Sequence, residues 1–306
     1  MTLSWNGVLP AITTPFDEDL GVDHSYLAEH ASWLLEQGSA GLIPLGSLGE
    51  GATLTAAEKR AVLATCLQAA ARRAPVIAGV SALSTAEAVA LARDAEAAGC
   101  GGLMVLPPYV YSTDWREMKA HVAAVIAATG LPCMLYNNPL AYRTDFTPEQ
   151  VAELADEHPN LTAIKESSAD VRRITALRAR LGDRLALLVG VDNLIVEGID
   201  AGATGWVAGL VNAFPAESVA LFRLALEGRR AEALDLYRWF LPLLRLDTVP
   251  KFVQLIKLVQ EKIGRGSARV RPPRLELTGE ELRAALATLD EALAQRPTVG
   301  PDRRSR

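Results

Sequence analysis

The sequence predicts an α/β fold, a (β/α)8 TIM barrel with a C-terminal helical extension. Three observations predict it. Eight short apolar runs recur along the first two thirds of the chain, Ala-rich segments of helical composition separate them, and no G-x-G-x-x-G fingerprint follows the first run. Runs that are apolar on both faces are the pattern of a buried parallel sheet. Their alternation with helices in about 230 residues is the pattern of a barrel, with a doubly wound sheet second.

In order, the predicted strands are GVLPAITTP (7–15), GLIPLG (41–46), PVIAGV (75–80), GLMVLPP (102–108), PCMLYNN (132–138), LTAIKES (161–167), LALLVGV (185–191) and ATGWVAG (203–209). Between them, TAAEKRAVLATCLQAAARR and TAEAVALARDAEAAG read as helices. The second starts at a Ser84/Thr85 cap and stops at Gly99, since a hydroxyl accepts from the first free N–H groups and glycine closes the last turn. After residue 215 only helical patterns follow. The chain therefore divides into a barrel over 1–225, a helical region over 226–295 and a Pro/Gly/Arg-rich tail over 296–306 that reads as disordered.

A net charge of −5 argues against nucleic acid or an anionic membrane surface as partner. Cys66, Cys100 and Cys133 are widely spaced and odd in number, which suits neither a disulfide framework nor a zinc site. His24, His30, His121 and His158 lack ligand spacing and read as helix-surface or loop residues. No metal site is expected of these residues. The N-terminal stretch does not read as a signal peptide and no apolar run is long enough to span a bilayer, so a cytoplasmic protein is the expectation.

In a barrel of this kind the chemistry sits at the C-terminal ends of the strands. The polar residues there are in GSLGE (46–50), YNNP (136–139), IKESS (164–168), GVDN (190–193) and GLVNAFP (209–215). Lys165 stands out, because Ala163 and Ile164 before it belong to an apolar strand. A desolvated lysine loses its proton more readily, and the neutral amine attacks a carbonyl or imine carbon. Tyr136, at the end of the neighbouring strand, could move protons to and from the resulting carbinolamine. The competing readings are a lysine in solvent and a tyrosine with a buried ring and a wet hydroxyl. The GSLGE turn offers backbone N–H groups and the Ser47 hydroxyl to a carboxylate. Glu50 reads as a brace or helix cap. Gly46, Leu48, Asn138, Gly190 and Asn193 complete the candidate substrate-binding set, with Lys165, Tyr136 and Ser47 as the catalytic candidates.

Taken together, GSLGE, YNNP, AIKESS, GVDN and GATGWVAGLVNAFP, in that order and spacing, resemble the dihydrodipicolinate synthase / N-acetylneuraminate lyase family over nearly the whole chain. The resemblance implies a homotetramer of barrels, a small 2-oxo or imino acid as ligand and no metal or organic cofactor. It also implies a lysine Schiff base at Lys165, a proton-relay tyrosine at Tyr136 and a relay hydroxyl at Ser47. Three positions depart from dihydrodipicolinate synthases. Ala141 stands where their carboxylate-binding arginine would be, with Arg143 the nearest arginine; Leu48 replaces a threonine of the turn; and Val110, beside Tyr109 and Tyr111, replaces the tyrosine lent by a neighbouring subunit. These losses argue against a second acidic substrate.

YNNP, Leu48 and WVAGLVNAFP look instead like the Δ1-pyrroline-4-hydroxy-2-carboxylate deaminases of hydroxyproline catabolism. The expected products are 2-oxoglutarate semialdehyde and ammonia. Asn138 and Asn193 are candidates for the 4-hydroxyl or ring nitrogen. The alternatives are a 2-keto-3-deoxy sugar-acid aldolase or dehydratase, a dihydrodipicolinate synthase, a non-catalytic oxo-acid-binding barrel and, last, a barrel for phosphate esters.

Overall fold

A computed structural model describes residues 3–108 and 114–299. Tyr109, Val110, Tyr111 and the tail beyond Val299 lie outside the described residues. Along the chain come β1 (Gly7–Pro10), α1 (His24–Glu36), α2 (Ala56–Ala70), β2 (Ile77–Val80), α3 (Thr85–Ala98), β3 (Gly102–Val105) and α4 (Trp115–Ala127). Then follow β4 (Cys133–Asn137), α5 (Pro139–Tyr142), α6 (Pro148–Glu157), β5 (Leu161–Glu166), α7 (Arg172–Leu181), β6 (Ala186–Val189), α8 (Ile195–Asp200) and β7 (Gly205–Ala208). Four helices end the chain: α9 (Pro215–Leu226), α10 (Arg230–Leu244), α11 (Phe252–Lys262) and α12 (Gly279–Ala294).

The strands form one curled parallel sheet in the order β1-β7-β6-β5-β4-β3-β2. Every residue of β2, β3, β4 and β7 is buried, as helices on one face and a filled interior on the other require. The expected second strand, 41–46, is a correction: it is not a regular strand. It is held by single bridges, Ala11 to Ile43 on the β1 side and Leu42 to Val76 on the β2 side. Ile43 N donates to Pro10 O (2.8 Å) and Ile77 N to Leu42 O (2.8 Å). No regular ladder continues from there, because Pro44 has no N–H to donate, though its carbonyl still accepts from Gly79 N (2.9 Å), and Leu45 turns into the left-handed region (φ 67°). The segment thus bonds to both terminal strands of the sheet order.

Local signals set the helix ends. Ser84 Oγ accepts from Glu87 N (3.2 Å) and Gly99 closes α3 at φ 92°, as read from sequence. Thr55 and Glu58 form a capping box on α2. Leu27, His30, Ala31 and Leu34 share the buried face of α1, at the helical i, i+3, i+4, i+7 spacing. This corrects the surface reading of His30. It sits in the core, stacked on Tyr26 and bonded to Asn212 Oδ1 (3.1 Å), and burial lowers its pKa to about 4. His121 is buried too, against Thr85 Oγ1 (3.0 Å).

Of the terminal helices, α9 packs against β1, and α10 packs on both α9 and α12. Beyond α12, Arg296 pairs with the buried Glu217 of α9 at 2.6 Å, so the first residue of the expected tail is anchored. Among the described residues no helix is long and apolar enough to cross a membrane.

Candidate active site

Register brings the two central side chains together. Tyr136 pairs with Lys165 across β4 and β5, and Asn137 pairs with Glu166 one step on. Successive strand residues face opposite sides of a sheet. Tyr136 and Lys165 therefore point inward, where both line a cavity of about 610 Å³. Asn137 and Glu166 point outward, bonded to each other at 3.1 Å. Asn137 also donates to Asp145 (3.1 Å) and accepts from Phe146 N (3.0 Å), while Arg173 holds Asp145 (2.8 Å). Burial raises the Glu166 pKa. The second residue of YNNP and the glutamate of IKES are thus braces that lock the loop after β4.

Lys165 is 6% exposed and its Nζ lies 4.0 Å from the centroid of the Tyr136 ring. Burial pulls its pKa down to about 8, against the neighbouring acids Asp247 and Asp192, which pull upward to the extent that they are ionised. An amine with that pKa has a substantial neutral fraction near neutral pH. Burial pushes the Tyr136 phenol up to about 12, against the hydrogen bond that Asn138 Nδ2 donates to its oxygen (3.0 Å). Asn138 has a second task. It caps α5, accepting from Ala141 N (3.0 Å) with Pro139 at the first helical position.

Gly46, Ser47, Leu48, Asn138, Gly190 and Asn193 all line the same cavity. Ser47 Oγ is hydrogen-bonded to the Tyr142 hydroxyl, and the Tyr142 ring stands edge-on to Tyr136 at 5.8 Å. Asn193 lines the cavity, and its carbonyl accepts from the Tyr237 hydroxyl. Arg143, left-handed at the end of α5, is not among the described lining residues, whereas Ala141 is. Lys165 is the single cation among the described lining residues.

Glycine 190 is demanded by space. A Cβ there would stand 2.0 Å from Ser167 Oγ and 2.6 Å from Lys165 Cε. Gly190→Ala is expected to destabilise the fold by about 1–3 kcal/mol through overpacking. It is also expected to slow borohydride trapping of pyruvate on Lys165 by about tenfold or more, because a displaced amine loses its attack geometry. Trapping at the native rate in the alanine protein would contradict this account of the glycine.

Two braces complete the frame. Asp192 is fully buried and accepts from Trp206 Nε1 (2.9 Å), Gly209 N (3.1 Å) and Leu210 N (2.8 Å), tying the end of β6 to the end of β7. Burial raises its pKa to about 6 against those bonds. Glu50 is the brace expected of it. Its carboxylate takes Lys257 Nζ (2.6 Å) and Arg271 N (3.0 Å), binding the Ser47 turn to α11 and the segment after it.

Sequence reasoning missed three residues. Tyr142 reads as an ordinary helix-end residue, Asp192 was passed over within GVDN, and Asp247 lies in RLDTVPKF, which reads as a break between helices. Asp247 lines the cavity beside Val249 and Phe252. Its one available signal is an acid placed between two amphipathic helices.

A parallel α/β fold whose strand ends present a buried, low-pKa lysine beside a tyrosine defines a class of enzyme-like barrels. The model of the "Dihydrodipicolinate synthetase family" matches residues 4–292. The chain is 32% identical over 271 residues to a 4-hydroxy-tetrahydrodipicolinate synthase of Rhizobium meliloti, covering 89% of this chain and 92% of that one. It is 35% identical over 294 residues to a "Probable 5-dehydro-4-deoxyglucarate dehydratase" of Saccharopolyspora erythraea, covering 94% of each. Its fold superposes on the 4-hydroxy-tetrahydrodipicolinate synthase structure from Methylacidiphilum fumariolicum SolV with a TM-score of 0.89 at 30% identity, covering 95% of this chain and 97% of that one. The structure of YagE, a family member from E. coli K12 in complex with pyruvate, gives 0.88 at 27%, covering 94% and 99%. The chain belongs to the dihydrodipicolinate synthetase family and is a lyase of that family.

Proposed function

We propose that this lyase is a Schiff-base deaminase that converts Δ1-pyrroline-4-hydroxy-2-carboxylate to 2-oxoglutarate semialdehyde and ammonia. The observation that carries the reading is the charge of the cavity wall: among its described residues one cation, Lys165, with Ala141 where a second carboxylate would need an arginine. A substrate with one carboxylate suits such a wall. A sugar diacid would leave its far carboxylate without a cationic partner among the described residues, which ranks the dehydratase reading second. The bridges of 41–46 to both terminal strands support a closed eight-stranded barrel as the frame, and a homotetramer in the cytoplasm remains the family expectation.

In this reading the substrate carboxylate rests on the N–H groups of the Ser47–Leu48 turn. The neutral Lys165 amine attacks C2 and the ring opens by transimination, freeing a primary amine at C5. Tyr136 moves the proton of the geminal diamine formed on attack and, at the closing hydrolysis, that of the carbinolamine, with Ser47 and Tyr142 extending the hydroxyl chain. Loss of a C3 proton gives the enamine, which expels the 4-hydroxyl. Tautomerisation places an imine at C5, and hydrolysis of both imines releases ammonia, the semialdehyde and the free lysine.

The test is incubation with the hydroxypyrroline carboxylate, followed by assay of ammonia and semialdehyde, with a 2-keto-3-deoxy sugar acid and 5-dehydro-4-deoxyglucarate in parallel. Turnover of a sugar acid alone would replace the deaminase reading with the dehydratase one. A protein that turns over none of them, yet binds pyruvate without a trappable adduct, would be an oxo-acid binder.

A further inference from the structure

A carboxyl group from outside the strand-end motifs faces the same cavity as Lys165. Asp247 sits on the single turn Arg245–Thr248 between α10 and α11, and its side chain reaches the cavity over Gly209. A Cβ on Gly209 would stand 2.0 Å from Asp247 Oδ1 and 2.5 Å from its Cγ, so only glycine leaves the carboxyl that place. Among the described residues the Asp247 carboxyl takes no hydrogen bond; burial and the charges of Asp192 and Lys165 are what act on it. The ionisable groups that face it are Lys165 of β5, Asp192 after β6 and Tyr136 of β4. Burial and the Asp192 charge raise its pKa well above the usual carboxylate value, with Lys165 pulling the other way. The acid form, a proton donor, is thereby favoured.

The deaminase reading, on which this inference rests, leaves one demand unmet. Hydroxide is a poor leaving group, so the 4-hydroxyl needs an acid, and Lys165, with the Tyr136 ring centroid 4.0 Å from its Nζ, is engaged at C2. We propose that Asp247 is a catalytic residue, the general acid that protonates the departing hydroxyl of a substrate held as an enamine on Lys165. The nitrogen lone pair re-forms the C2 imine and the C2–C3 π pair moves to C3–C4. The C4–O bond breaks with its pair on oxygen, and the Asp247 proton makes that oxygen water. The carboxylate left behind regains its proton from solvent at the cavity mouth.

The experiment compares the native protein with Asp247→Asn. Ammonia release, deuterium exchange at C3 of the hydroxypyrroline carboxylate, and the mass of borohydride-trapped adducts on Lys165 are followed. Asp247→Asn is expected to release ammonia on the order of 100-fold more slowly or worse, the range of a lost general acid. It should keep C3 exchange and pyruvate trapping, and should accumulate an adduct heavier by one water than the dehydrated form. Asp247→Ser takes its place if Asp247→Asn fails to fold, as judged by pyruvate trapping. Ammonia release within about threefold of native overturns the proposal and leaves the deaminase reading intact. Equal slowing of C3 exchange and ammonia release also overturns it, by placing Asp247 at an earlier step. If the native protein releases no ammonia, the deaminase reading falls and the proposal falls with it.

Discussion

Alanine in place of Lys165 abolishes borohydride trapping of pyruvate and lowers turnover on the order of 10⁴-fold or more, since no other amine lines the cavity among the described residues. The effect is large because one atom, Nζ, both captures the substrate and becomes the electron sink. The same lysine sets a pH signature. Its pKa of about 8, lowered by burial, means that the neutral amine grows as pH rises through about 8 and saturates above it. Trapping should follow that curve. A rate that kept rising toward the value of a free lysine, near 10.5, would mean that the amine is solvated and the buried geometry is wrong. Near-native turnover by Lys165→Ala would sink the Schiff-base mechanism.

Glu50→Ala should cost about 3–5 kcal/mol of unfolding free energy, read as a shift in the denaturant midpoint at unchanged slope. Lys257 is 2% exposed, and Glu50 is its charge partner in the core. Removing the acid leaves a buried cation with only the Arg269 carbonyl (2.7 Å) and the face of the Phe16 ring (4.2 Å). The sign of the pH dependence follows from the lysine. Burial lowers the folded pKa of Lys257 and Glu50 opposes that, so without Glu50 the folded value falls further below the unfolded one. In that window the unfolded chain binds more protons, stability rises with pH, and the deficit of Glu50→Ala shrinks. Adding Lys257→Met should recover much of the loss, because the unpaired charge goes with it. A Glu50→Ala protein as stable as the native one would show that the pair is not needed to hold the Ser47 turn on α11.

How much was legible varies by residue, and the reason is geometric. Lys165 and Tyr136 could be read from position because strand alternation and parallel register are local rules. A polar residue ending an apolar strand faces the mouth, and its neighbour on the next strand lies beside it. The same alternation makes Asn137 and Glu166 braces. Ser84, Gly99 and Glu50 were equally legible, since caps and tight turns depend on a few adjacent residues. The second strand was misread because its composition is strand-like up to Ile43, while Pro44 and the left-handed Leu45 end the ladder. His30 is ambiguous in the sequence because its polarity points to the surface while its place on the apolar face of α1 points to the core.

What the sequence by itself determined is the lysine at a strand end, its tyrosine neighbour, the glycine-bounded turn and the alternating frame that carries them. Each follows from interactions between residues near in sequence or one register step apart. Only the tertiary structure decided that Asp247, arriving from the C-terminal helices, shares a cavity with Lys165, and that Ser47 meets Tyr142. Such meetings are made by chain packing over long sequence separation, and no periodicity or motif encodes which distant acid will be brought to the mouth.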